Sequence, residues 1–270
     1  MNKSLLLIIF FLFGIFNISD GFNFNINNDN NDNNDNNDTP LKTVQLTNEN
    51  FISINEDINM KSASNFIKNI NSLEDDNIYI YLNTPGGSVI DGYKMIEVID
   101  TLTANGKNIT CIAEKANSMG FVILQSCPTR YVTSSSIIMQ HQMSLELGGP
   151  IENFKNRMNL IENIKNSLEL RQANRLGLSV EEFKQKIISD WWLFGEQAVK
   201  NRSADELVHV LCDLDVIQAQ ETKNINTIFG DFKLVYSKCP LVYYPLEIKF
   251  SNSDDQIDYD TEQKVLDLIR

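Results

Sequence analysis

NIYIYLNTPGGSVIDGYKMIEVIDTL, residues 77–102, contains a strand, a turn and a helix in one run. From Asn77 to Leu82 the side chains alternate along an extended chain, with Ile78 and Ile80 toward one face. Gly86 and Gly87 then interrupt the pattern. Two adjacent residues without Cβ atoms let the chain turn tightly and let backbone N–H groups come close to a ligand. From Asp91 to Leu102 the apolar period lengthens to that of a helix, with Ile96, Ile99 and Leu102 on one face. Ile109 to Ala113 is a strand again. A strand, a helix and a second strand in so short a span predict parallel neighbours joined by a crossover helix.

The same rhythm extends in both directions. Thr43 to Leu46 and Phe51 to Ile54 read as short strands, and Ser62 or Ser64 caps a helix that carries Phe66, Ile67 and Ile70. After Ala113 come a small-residue turn at Ser118, a helix from Phe121, a strand from Arg130 to Thr133, and another from Ile137 to His141. Ile151 to Leu176 reads as a long helix ended by Gly177, and Ser179 with Glu182 forms a capping box for the next. The expected fold class is α/β: repeated βαβ units with a mostly parallel sheet packed by helices, followed by a C-terminal extension. In that extension Phe232 to Tyr236 and Leu241 to Phe250 read as a hairpin or extended arm. Ser251 to Asp260 is acidic, and Thr261 to Arg270 reads as a short helix.

The chain has 270 residues, 42% of them hydrophobic, enough for one large domain with an appendage. Its formal net charge of −13 argues against a sequence-independent grip on nucleic acid and against an anionic membrane surface. Leu5 to Phe16 is a continuous apolar stretch broken only by Gly14. It follows Lys3 and precedes small residues at Ser19 and Gly21. This is the pattern of a secretory signal peptide with cleavage after Gly21, and it implies a secreted or lumenal protein. Asn23 to Asp38 is nearly all Asn and Asp and has little to bury. The expected organisation is therefore a signal peptide over 1–21, an Asn/Asp-rich linker over 22–40, a catalytic-type domain over 41–210 and the extension over 211–270. Of the four cysteines, Cys111 and Cys127 lie in apolar runs and read as buried thiols, while Cys212 and Cys239 form a disulfide if the chain is secreted. No pair has zinc-ligand spacing, and no metal is expected.

Two strings carry chemistry. Ala116-Asn117-Ser118-Met119-Gly120 places a serine at a helix start, and Ile137-Ile138-Met139-Gln140-His141 ends an apolar strand in an imidazole. A serine hydroxyl becomes a useful nucleophile only when a neighbouring base takes its proton. The chain has two histidines, so only His209 competes with His141 as that base. Each string alone has a plain reading: Ser118 as a helix cap, His141 as a structural core residue, Gly86-Gly87 as a simple turn. Asp190, in Ile187-Ile188-Ser189-Asp190-Trp191-Trp192, is the candidate acid to orient the imidazole, and its plain reading is an exposed cap.

Taken together and in order, these strings resemble the Clp protease proteolytic subunit (ClpP) family, and more loosely the ClpP/crotonase superfamily. The resemblance rests on Asn83-Thr84-Pro85-Gly86-Gly87, Asn117-Ser118-Met119-Gly120, Ile138-Met139-Gln140-His141-Gln142, Gly148-Gly149, Leu176-Gly177-Leu178-Ser179, Asp190 and Glu196-Gln197-Ala198-Val199. It implies a ClpP/crotonase-like fold and a serine endopeptidase with Ser118 as nucleophile, His141 as base and Asp190 as orienting acid. Gly87 and Met119 would supply oxyanion-hole N–H groups. Gly148 and Gly149 would lie in the segment that holds an extended substrate by strand addition. The resemblance implies no cofactor, a peptide or unfolded-protein substrate, and a homo-oligomer. Trp191 and Trp192 replace the family's arginine after the acid, and Arg202-Ser203-Ala204-Asp205 replaces its G-L-I/V-D. These departures, with a secretory signal, weigh against an ATPase unfoldase partner. Three other readings stay open: a non-catalytic peptide-binding scaffold, a membrane-linked peptidase using Ser118 with Lys115, and an acyl-CoA enzyme.

Overall fold

A computed structural model describes residues 40–145, 150–251 and 257–269. The expected signal peptide and all of the expected linker but Pro40 lie outside the described residues. The chain runs through β1 (Lys42–Leu46), β2 (Phe51–Ile54), α1 (Met60–Ile70), β3 (Asn77–Thr84), α2 (Val89–Ala104), β4 (Asn108–Asn117) and α3 (Met119–Ser126). Next come β5 (Thr129–Gln140), a 3-10 turn at Ile151–Asn153, α4 (Phe154–Leu176), α5 (Val180–Lys186), β6 (Trp191–Phe194), α6 (Glu196–Lys200) and β7 (Glu206–Cys212). The extension holds α7 (Leu214–Gln218), β8 (Gln220–Thr227), β9 (Gly230–Ser237), β10 (Glu247–Phe250) and α8 (Tyr259–Ile269).

The main sheet has the order β1-β7-β5-β4-β3-β2, all parallel, with β6 added antiparallel along the second half of β5. The expected α/β architecture is therefore the observed one. Ile52, Ile80, Ile96, Ile109, Phe121 and Ile138 belong to the large core shared by the sheet and α1, α2 and α3. All eight residues of α3 are buried, which accounts for its apolar run: a helix enclosed on every side needs no polar face. A second cluster includes Val44, Tyr81, Ile112 and Tyr131.

Three details of the region up to the extension differ from the sequence reading. Helix α1 is capped by Asn59, not by Ser62 or Ser64. Asn59 sits in extended backbone just ahead of the first turn, where its side chain accepts the Lys61 and Ser62 N–H groups; Ser62 returns the bond as the third helical residue. The two strands expected at Arg130–Thr133 and Ile137–His141 are one strand, β5, with an irregularity between Val132 and Ile137. The Ser136 hydroxyl fills that gap, accepting the Thr133 N–H at 2.7 Å and donating to the Ala113 carbonyl. Cys111 and Cys127 are not free thiols. They form a disulfide, with Cα atoms 5.8 Å apart, because β4 and the end of α3 bring two distant apolar runs together. The expected Cys212–Cys239 disulfide is present and ties β7 to the extension.

The expected hairpin is β9 with β10, but β8 adds a third strand that its polar sequence concealed. Phe232, Leu234, Ile248, Val265 and Leu266 give this sheet and α8 a small core of their own.

Candidate functional site

Ser118 is held at a crossing of three elements. It follows β4 and occupies the N-cap position of α3 without a side-chain cap bond, and its N–H donates to the Met139 carbonyl of β5 at 2.8 Å. Its backbone has φ 53° and ψ −116°, a conformation costly for any residue with a Cβ. That strain aims the side chain out of the buried helix. The Ser118 hydroxyl lies 2.9 Å from His141 Nε2, hydrogen-bond distance for a proton donated from oxygen to the imidazole. His141 follows β5 directly, and its own N–H donates to Gln140 Oε1 at 3.0 Å. Two strings separated by 23 residues therefore meet because β4 and β5 are parallel neighbours with Asn117 opposite Met139.

The glycine turn closes the site from β3. A Cβ on Gly86 would fall 2.6 Å from the Asn117 carbonyl and 2.8 Å from Ser118 Cβ, so only glycine lets the two turns touch. The Ile58 N–H donates to the Gly86 carbonyl at 2.7 Å, and the Ser88 N–H donates to the Ile58 carbonyl at 2.7 Å, leaving the Gly87 N–H outside that ladder. Met119 is the first residue of α3, where helix N–H groups have no partner inside the helix. Both residues line the cleft that contains Ser118 and His141.

Asp190 is not bonded to the imidazole. It is exposed and accepts no hydrogen bond among the described residues. Its backbone position is nonetheless specific. Trp191 of β6 pairs with Gln140 of β5, so extending the register by one residue sets Asp190 across from His141. Trp191 anchors this point: its ring lies 6.0 Å from that of Phe121 on α3, with Lys186 Nζ 4.8 Å from its centre. His209, the competing base, is exposed on β7 opposite Thr43 and is not among the residues lining the Ser118 cleft. Lys115 is exposed on β4, opposite Ile137, and also does not line it. Gly148 and Gly149 lie outside the described residues.

The cleft has one wall that sequence reading missed. Helix α4 contributes Lys165, Leu168, Glu169 and Gln172, and β5 contributes Gln140. Gln140 and Gln172 are buried and share a short side-chain hydrogen bond, while Gln172 also donates to the Leu168 carbonyl at 3.0 Å. The only sequence signal was spacing: 165, 168, 169 and 172 fall on one helix face, but nothing in the sequence said what that face meets.

Behind the site, Arg130 is buried, with its guanidinium on Asp205 and on Gln125 Oε1. Gln125 in turn donates to the Ser203 carbonyl at 2.9 Å. Burial pushes the Asp205 carboxyl up, but the Arg130 hydrogen bonds and charge, with Arg175 beyond, outweigh it and hold the group below the usual carboxylate range.

The chain is 28% identical over 134 residues to the ATP-dependent Clp protease proteolytic subunit 2 of Bifidobacterium longum, covering 48% of this chain and 63% of that protein. It is 29% identical over 140 residues to proteolytic subunit 1 of Streptomyces avermitilis and to proteolytic subunit 3 of Streptomyces coelicolor, covering 51% of this chain and 63% of each. The match thus spans somewhat under two thirds of each relative's length. The family model described as Clp protease matches residues 35–210, the region that carries the whole parallel sheet up to Val210 and every residue of the cleft, and the chain belongs to the Clp protease family.

Proposed function

We propose that the protein is a serine endopeptidase that hydrolyses short or unfolded peptides through Ser118 and His141. The observation that carries this is the 2.9 Å contact between the Ser118 hydroxyl and His141 Nε2 at the strained start of a buried helix. In the proposed reaction the neutral imidazole takes the Ser118 proton as the oxygen attacks a peptide carbonyl. The oxyanion then accepts the Gly87 and Met119 N–H groups. The imidazolium returns its proton to the departing amine, and a water molecule activated by the same imidazole hydrolyses the acyl-enzyme. Asp190, across from His141 in the extended register, would orient the ring by moving its carboxylate onto the second ring nitrogen. The segment of Gly148 and Gly149 would pair with the substrate backbone.

Secretion fits this reading: the Leu5–Phe16 stretch supports export, and two disulfides support an oxidising compartment. A homo-oligomer also fits it, since Ile137, Trp192 and Phe194 are exposed along the β5–β6 pair and a second copy could cover them. A fluorophosphonate probe should label the wild type and fail on Ser118→Ala; labelling that persists in the mutant would refute the nucleophile. The absence of a bond between Asp190 and His141 favours one rival, a non-catalytic peptide-binding scaffold. Wild-type protein that binds short fluorogenic peptides but neither cleaves them nor takes the probe would establish it.

A further inference from the structure

The wall that α4 adds to the Ser118 cleft carries more charge than peptide-bond chemistry at Ser118 requires. Glu169 is 5% exposed and lines the cleft. Its carboxylate accepts no hydrogen bond among the described residues, and Oε2 is fully buried without a hydrogen-bond partner. Its neighbours are Lys165 Nζ, 3.6 Å from Oε1, and Lys184 Nζ, 3.5 Å from Oε2. Charge-assisted hydrogen bonds close at roughly 2.7–2.9 Å, so both lysines balance the charge without filling the acceptor sites. Their side chains are 41% and 42% exposed, and each can turn its ammonium to water while its stem stays packed. Gln140 and Gln172 make the adjoining surface polar as well.

We propose that Glu169 is the specificity-determining residue of this cleft, selecting peptides with arginine or lysine on the acyl side of the cleaved bond; the inference rests on the serine-peptidase reading. The residue whose carbonyl is attacked must sit against Ser118, Gly87 and Met119, and the cleft beside them is where its side chain goes. A guanidinium or ammonium there supplies donors at close hydrogen-bond distance, which Lys165 and Lys184 do not. A leucine or methionine would press hydrocarbon against a buried carboxylate whose two lysine partners stand beyond close hydrogen-bond distance, which is unfavourable. An aspartate or glutamate would put two carboxylates in one cleft. The net charge of −13 also draws cationic chains to the molecule.

The test uses the full chain and blocked tripeptidyl aminomethylcoumarins that end in Arg, Lys, Leu, Met or Glu. Rates are normalised to the fraction of Ser118 labelled by the fluorophosphonate probe. The wild type should prefer Arg and Lys over Leu in kcat/KM by about tenfold or more, since a site built around one polar group rejects side chains that cannot pair with it. Glu169→Gln should shrink that ratio, and Glu169→Leu should reverse it. A wild type that labels but prefers Leu or Met, or a ratio unchanged in Glu169→Gln, overturns the inference and leaves the peptidase reading intact. A preference for Glu also overturns it, pointing to Lys165 as the contact. If Ser118 does not label, the peptidase reading fails, and binding of the same peptides decides the pocket alone. Tighter binding of the Arg peptide, lost in Glu169→Leu, supports the inference; equal binding of Arg and Leu peptides overturns it.

Discussion

The two halves of the candidate site are built differently. Ser118 and His141 are held by buried parallel strands and by a helix with no exposed residue, and their side chains already touch. Asp190 stands on an exposed connection between α5 and β6, one register step beyond the last strand pair, and touches neither. The first half is fixed by burial, because moving it would disrupt the core. The second depends on a short antiparallel pair whose next rung is open. The contrast implies a nucleophile and base set by folding, and an acid whose engagement is a local rearrangement.

The largest expected effect is at the fixed half. His141→Ala should lower kcat by about 10⁴-fold or more without changing the melting temperature, measured with the preferred fluorogenic peptide. A loss under tenfold would mean that another group serves as base. Asp190→Asn should cost about a hundredfold less than His141→Ala, as acids in such arrays commonly do. An equal loss would show that the carboxylate is docked on the imidazole in the working enzyme and would remove the contrast. Gly86→Ala should cost about a hundredfold in kcat/KM, because a misplacement of the nucleophile of about 1 Å has that consequence. Unchanged activity would show that the contact between the two turns gives way without moving Ser118.

The smallest effect tests the frame beneath both halves. Asp205→Asn leaves the buried Arg130 guanidinium without its counter-charge and should lower stability by about 1–3 kcal/mol in urea unfolding. The range is set low because the Asp205 side chain is 36% exposed. The folded state holds this carboxyl below its usual range, so the unfolded chain binds the proton more tightly. Its contribution is therefore present above about pH 4 and is lost as pH falls through the folded value. Wild type and Asp205→Asn should differ in stability at pH 7 and converge under acid. A difference that does not depend on pH would assign the loss to packing.

Much of this was legible in residues 77–141. Period-2 and period-3.6 patterns located β3, α2 and β4, and an imidazole closing an apolar strand marked His141. The same local logic failed where an interaction was not local. Asn59 displaced the serine caps because backbone geometry, not residue type, chooses the cap. Val132 and Ile137 belong to one strand because Ser136 bridges the interruption to Ala113 on β4. The polar β8 showed no strand period because six of its eight residues are exposed.

By itself, the order of apolar and small residues determined the alternation of strands and helices, the parallel sheet and the turn that carries Ser118. Those follow from side-chain period and from the backbone freedom of glycine, which act over a few residues. Only the tertiary structure decided that Cys111 meets Cys127, that Asp190 stands across from His141 without bonding to it, and that Glu169 faces the cleft. Each of these depends on the register between elements far apart in the chain, and register is set by the packing of the whole core rather than by any segment's own sequence.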